Sequence, residues 1–286
     1  MNVPLSVRMP LLAAKAAVEV KVRQRMYGAE LSKAVARSRS EPRGPAYWGH
    51  SLFSQNGEDG VLAAILDRIG VGPRKFVEFG FSPMQNNTLA FALREKATGM
   101  YLDGSKRICT EARHMFRMLM RTDIDVVCAW LDRDNIDGLL AKRFGGQELD
   151  ILSVDVDGND YWMWQAIHSV NPRIVITEYN ASFGAQRAVS VPYDPAFDRH
   201  TKPTDFYHGM SLRAAHKLGL EKGYALIGCD QDGVNAFFVR RDLLPDGAVV
   251  ERTPEESFRP NRWRITNGFV QQRQEAMVYA LPVVDV

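Results

Sequence analysis

Residues 150–170 read DILSVDVDGNDYWMWQAIHSV. Ile151, Leu152 and Val154 give a short apolar run of strand character. Asp157-Gly158-Asn159 has turn chemistry, and Met163, Ile167 and Val170 then recur at helical spacing. The segment therefore reads as strand, turn and helix. Three aspartates, Asp155, Asp157 and Asp160, crowd the junction. On a strand, Asp155 and Asp157 would share one face. Like charges so placed raise each other's pKa unless a cation lies between them, and a hard divalent ion such as Mg²⁺ or Mn²⁺ suits carboxylate ligands. Asp157 to Asp160 also reads as a plain turn with Asp160 capping the helix. Tyr161, Trp162 and Trp164 fit core packing better than a sugar platform.

Working outward, the same alternation recurs. Residues 54–70 (SQNGEDGVLAAILDRIG) carry apolar positions at helical spacing, with Glu58 and Asp59 in the first turn. KFVEFG, MYLDG, DVVCAWL and PRIVITEYN read as strands; TLAFALREK, ICTEARHMFRMLMR and NIDGLLAKRF read as helices. Strands alternating with helices predict an α/β fold with a mostly parallel sheet covered on both faces. Ligands of such sheets sit outside the carboxyl ends of the strands.

Polar groups end each strand here: Glu78 and Gly80, Asp103, then Asp132, Asp134 and Asn135, then Asp155 and Asp157, then Glu178 and Asn180. Gly80 followed by Asp103 has the logic of a nucleoside site, in which glycine admits a close ligand and the carboxylate accepts from ribose hydroxyls. A loop glycine and a surface aspartate would give the same spacing. Glu178 and Asn180 could complete a metal shell with Asp155 and Asp157. His208, in the turn-like DFYHGMS, is a general-base candidate or a structural histidine.

The chain of 286 residues, 45% hydrophobic and 24% charged, has the composition of a globular protein with one large domain or two small ones. Net charge is +2, so no polyanion such as nucleic acid is implied as a partner. Residues 1–50 nevertheless hold nine Lys/Arg against three Glu. They read as a basic helical arm with a linker, SRSEPRGPAYWGH, ahead of a main domain over 51–286. The arm fits docking on an anionic membrane surface or a second copy of the chain, or packing on its own domain. Three scattered cysteines suggest a reducing compartment, and Arg8 and Lys15 interrupt the apolar start, so a cytoplasmic location is expected.

In order, SQNGEDG, FVEFG…NNT, MYLDG, DVDGNDYWMW, PRIVITEYN and YHGMSL…KGYALIGCDQDGVNAFFVRRDL make residues 51–245 resemble the FkbM-type S-adenosylmethionine-dependent methyltransferases. The resemblance implies a class I methyltransferase: a Rossmann-like seven-stranded sheet with helices on both faces, and methyl transfer to a hydroxyl of a saccharide, glycolipid or related molecule. It assigns Glu78, Gly80, Asp103, Asp134, Asn135 and Asp155 to the cofactor. Asp155 and Asp157 would act on the acceptor, with Glu178 sharing any metal. Gly233, Asn235, Phe237 and Phe238 would close the sheet as an antiparallel hairpin. Where the family usually has a further glycine, this chain has Pro83 and Met84. Two other readings use the same residues: a methyltransferase-like binding module without turnover, and a metal-dependent hydrolase.

Overall fold

Alternating apolar residues make each strand a two-sided wedge. In Ile174-Val175-Ile176, the isoleucines pack with one buried cluster and the valine with the other. A sheet buried on both faces follows, and seven strands form it. β1 (Lys75–Phe79), β2 (Thr98–Asp103), β3 (Ile124–Cys128), β4 (Glu148–Val154) and β5 (Asn171–Glu178) are parallel. β6 (Tyr224–Cys229) and β7 (Asn235–Arg240) form the antiparallel hairpin that the resemblance implied around Gly233, with β7 paired to β5. The spatial order is β3-β2-β1-β4-β5-β7-β6. The chain reverses direction across the sheet between β1 and β4, and such a switch opens a crevice at the strand ends. This is a Rossmann-like seven-stranded sheet closed at one edge by the hairpin.

The structure is a computed structural model and describes residues 5–244, 247 and 249–286. Residues 1–4 of the basic arm lie outside the described residues. α1 (Leu5–Arg39) packs on α2 (Glu58–Ile69) and α4 (Lys106–Met118), and with α3 (Leu89–Arg94) these cover one face. α5 (Ile136–Phe144), α6 (Asp160–Ala166) and α7 (Leu212–Glu221) cover the other. Trp164 sits in that second layer against Tyr224 and Phe238, with ring centroids 6.1 and 5.0 Å away. The aromatic run is thus core at Tyr161 and Trp164, while half-buried Trp162 donates to the Val191 carbonyl. The segment after α1 is packed rather than loose. Trp48 is buried, donates to the Glu41 carbonyl at 2.9 Å and lies under Arg68. Among the described residues, no helix is long and apolar enough to cross a membrane.

Candidate functional site

Two adjoining clefts open at the carboxyl ends of the strands. The first, about 450 Å³, is walled by Gly80, Asp103, Trp130, Asp155, Asp157 and Asn159, among others. The second, about 920 Å³, is walled by Asn56, Glu178, Asp205, Asn261, Trp263 and Arg264, among others. Arg199 and His200 line both. The loop carrying them is tied down at three points of the first cleft. Trp130 Nε1 donates to the Pro195 carbonyl at 2.7 Å, Asn159 Nδ2 to the Asp194 carbonyl at 2.8 Å, and Arg199 to Asp157 Oδ1 at 2.5 Å.

β4 ends at Val154, so Asp155 and Asp157 are not paired by strand alternation. A turn brings them together instead, with Asp157 in the left-handed region at φ 55°. Asp160 organises that turn, its carboxylate accepting from the N–H groups of Val156 and Gly158 at 2.9 and 3.0 Å. It stands at the first position of α6, and Asn159 holds the cap position expected of Asp160. Burial raises the Asp160 pKa to about 6. The turn needs a glycine directly after β1: a Cβ on Gly80, at φ 64°, would lie 1.7 Å from the Asp155 carbonyl oxygen. Gly80 therefore serves the approach of two backbone segments, where the sequence suggested approach of a ligand.

Asp155, Asp157 and Glu178 each present an oxygen within 4.8 Å of the others. Burial, then the charge of Glu178, pushes Asp155 well above the usual carboxylate range. Burial, then Asp160 and Asp157, pushes Glu178 up to about 8. Glu178 Oε2 is shielded from solvent and has no hydrogen-bond partner among the described residues. Three oxygens under mutual repulsion, one of them orphaned, fit a small divalent cation. The Arg199 guanidinium on Asp157 already supplies part of that compensating charge.

His208 lies behind Glu178, 1% exposed, with Nδ1 3.7 Å from Glu178 Oε2. Its Nε2 faces the Arg264 guanidinium at 3.0 Å. Arginine only donates, so Nε2 accepts and Nδ1 carries the proton. Burial and the charges of Arg199 and Arg264 hold the imidazole pKa well below its usual value. Neither ring nitrogen is free to take a proton from a substrate, so the general-base expectation for His208 is corrected to a positioning one. Asn180 is likewise spent. Its Oδ1 accepts from Ser182 N and Arg264, and its Nδ2 donates to the Phe206 and His208 carbonyls.

The cofactor expectations divide. Asp103 lines the first cleft, with Oδ1 accepting from Ser105 N at 2.6 Å. Glu78 does not line it: its carboxylate accepts from Asn87 N, Thr88 N and Thr88 Oγ1 at 2.7, 2.9 and 2.6 Å. Those bonds hold the 81–88 loop. A Ser82–Gln85 turn swings Met84 against the core, so the bulky loop leaves the cleft open. The Asp134 side chain points to solvent, 86% exposed. Asn135 is committed to Asp132 N and the Trp130 carbonyl. The cleft wall expected from Asp134 and Asn135 is built by Trp130 and Leu131. Trp130 was hidden in the sequence near the end of an apparent strand, yet β3 stops at Cys128 and the indole is 61% exposed. Arg199 and Arg264 gave no sequence signal beyond being arginines in loops.

No family model matches the chain, and no curated protein matches it. Among solved structures it is similar to the N-terminal domain of EvdMO1 in the presence of SAH and D-fucose, 13% identical over 76% of this chain and 96% of that one, with a TM-score of 0.44. It is also similar to the O-methyltransferase from Bacillus cereus in complex with SAH, 14% identical over 76% and 95%, with a TM-score of 0.41. Magnesium protoporphyrin IX methyltransferase from Synechocystis, with bound SAM, is 13% identical over 64% and 77%, with a TM-score of 0.39.

Proposed function

We propose that the chain transfers a methyl group from S-adenosylmethionine to a hydroxyl of a saccharide or glycolipid. The observation that carries this reading is the pair of clefts meeting at Asp155, Asp157 and Glu178. The first cleft suits the donor. Asp103 offers its second oxygen to ribose hydroxyls, and the Trp130 face is an apolar wall for a base. Asn159 Oδ1, buried and without a partner among the described residues, is an acceptor for the methionine ammonium. The second cleft suits a polyhydroxylated acceptor. Carboxylates and amides line it beside the Trp263 indole, which is 65% exposed.

The acceptor oxygen takes the methyl group in line as the carbon–sulfur bond breaks, leaving the neutral thioether of adenosylhomocysteine. The acceptor's proton passes to Glu178, whose raised pKa suits a proton acceptor near neutrality. His208 Nε2 holds the Arg264 guanidinium beside that carboxylate. Positioning of donor and acceptor supplies most of the acceleration. Asp155, Asp157 and Glu178 are also the residues that would hold Mg²⁺ or Mn²⁺; such an ion would lower the pKa of the acceptor hydroxyl in place of proton transfer to Glu178.

Calorimetry with adenosylmethionine and adenosylhomocysteine, with and without Mg²⁺, tests the donor site. Turnover on a panel of saccharides, in chelator and with added metal, tests the chemistry. Failure of both adenosine ligands to bind overturns the proposal and moves weight to the hydrolase reading. Binding without turnover on any hydroxyl acceptor favours the silent module. Full activity in chelator removes the metal and leaves Arg199 as the compensating charge.

A further inference from the structure

One face of α1 has a composition that the fold leaves unused. Its inner face is made of small residues, with Ala13, Ala16, Ala17 and Val20 buried, so the helix lies close against the body. On the outer side Leu11, Val18, Val22 and Met26 are 63, 62, 53 and 60% exposed. At about 100° per residue these four, with Lys15 and Arg25, fall within roughly 100° of arc. Lys21, Lys33 and Arg37 extend the same side, all exposed. Glu19 and Glu30, the acids of this helix, flank the stripe and are already paired with Arg23 and Lys33. Single exposed apolar side chains are ordinary, but an aligned row set among cations marks a contact surface.

We infer that this face of α1 docks on an anionic lipid bilayer. The four apolar side chains enter the boundary between headgroups and acyl chains, and the lysines and arginines meet the phosphates. Charge complementarity selects this occupant. A second copy set face to face would bring Lys15, Lys21 and Arg25 against their own kind. A nucleic acid would satisfy the cations and leave the apolar row in water. No described helix can span a membrane, so the 35-residue helix lies in the plane of the surface along roughly 50 Å. The inference does not depend on the methyl-transfer reading.

The test is co-sedimentation of the full chain with vesicles of phosphatidylcholine, alone or mixed with phosphatidylglycerol. Binding is expected only to the mixed vesicles and is expected to weaken at high salt. Lys15→Glu/Lys21→Glu/Arg25→Glu should weaken it about 100-fold or more. Val18→Asp/Val22→Asp should abolish it, and Leu11→Ser/Met26→Ser checks the same face with a gentler change. All three should keep the wild-type circular dichroism and melting temperature, since the changed side chains are exposed. Binding to neither vesicle type, equal binding to both, or wild-type binding by all three variants would overturn the inference. So would a solution dimer that Val18→Asp/Val22→Asp converts to monomer.

Discussion

Glu78 and Glu178 are the same residue type at the same edge of the same sheet, ending β1 and β5. Burial raises both, to about 7 and about 8. Their surroundings differ completely. Glu78 receives three donors from Asn87 and Thr88 and so fastens a loop. Glu178 has an orphaned oxygen, two aspartates beside it and an open cleft in front. Asp160 and Asp230 follow the first pattern. Asp160 collects the N–H groups of Val156 and Gly158, and Asp230 those of 232–235. A buried carboxylate whose lone pairs are filled by its own chain is structure; one left unfilled at a cleft is available for chemistry.

The largest effect should come from the unfilled side. Glu178→Gln keeps the shape and removes the proton acceptor, so turnover should fall about 10²–10⁴-fold with the melting temperature near wild type. In the wild type, turnover should rise with pH through about 8 as Glu178 loses its proton. A flat pH profile, or an active Glu178→Gln, would break the contrast.

Glu78→Gln should do the reverse. An amide cannot serve all three donors, so unfolding free energy at pH 5, where the Glu78 contribution is still present, should drop by about 2–3 kcal/mol. Denaturant titration reads this loss, and activity per folded molecule should be nearly retained. The sign with pH follows from the raised folded pKa. The Glu78 contribution is fully present below the ordinary carboxylate value of 4.5 and is lost as pH rises through about 7. The melting temperature should fall across that window in the wild type and less steeply in Glu78→Gln.

Asp103 is intermediate, with one oxygen filled by Ser105 and one facing the cleft. Asp103→Ala should therefore weaken adenosylhomocysteine binding by about 1.5–2 kcal/mol in calorimetry. An unchanged dissociation constant would place Asp103 with Glu78. The smallest effect belongs to Asp134→Ala. With its side chain in solvent, the dissociation constant should hold within about twofold.

The strands and helices of the α/β sheet were legible because apolar periodicity is local, whereas the closing hairpin was expected from the family resemblance. Element ends were less so. The apparent strand through Asp157 stops at Val154, because Asp160 captures the amides that would have continued the ladder. The apparent strand through Trp130 stops at Cys128, which frees an indole for the cleft. Gly80 was legible as an obligatory glycine, but what approaches it is the Asp155 carbonyl, 75 positions along the chain.

The sequence by itself determined that carboxylates gather at one edge of a parallel sheet, since strand-ending residues are set by the alternation of strand and helix. It also determined that the amino-terminal helix carries excess positive charge. Only the tertiary structure decided which carboxylates are spent. Hydrogen-bond donors reach Glu78 from nine and ten residues away, whereas His208 and Arg199 reach the Glu178 cluster from distant loops. Whether a lone pair is filled depends on contacts between segments far apart in the chain, and no local pattern of residue types encodes those contacts.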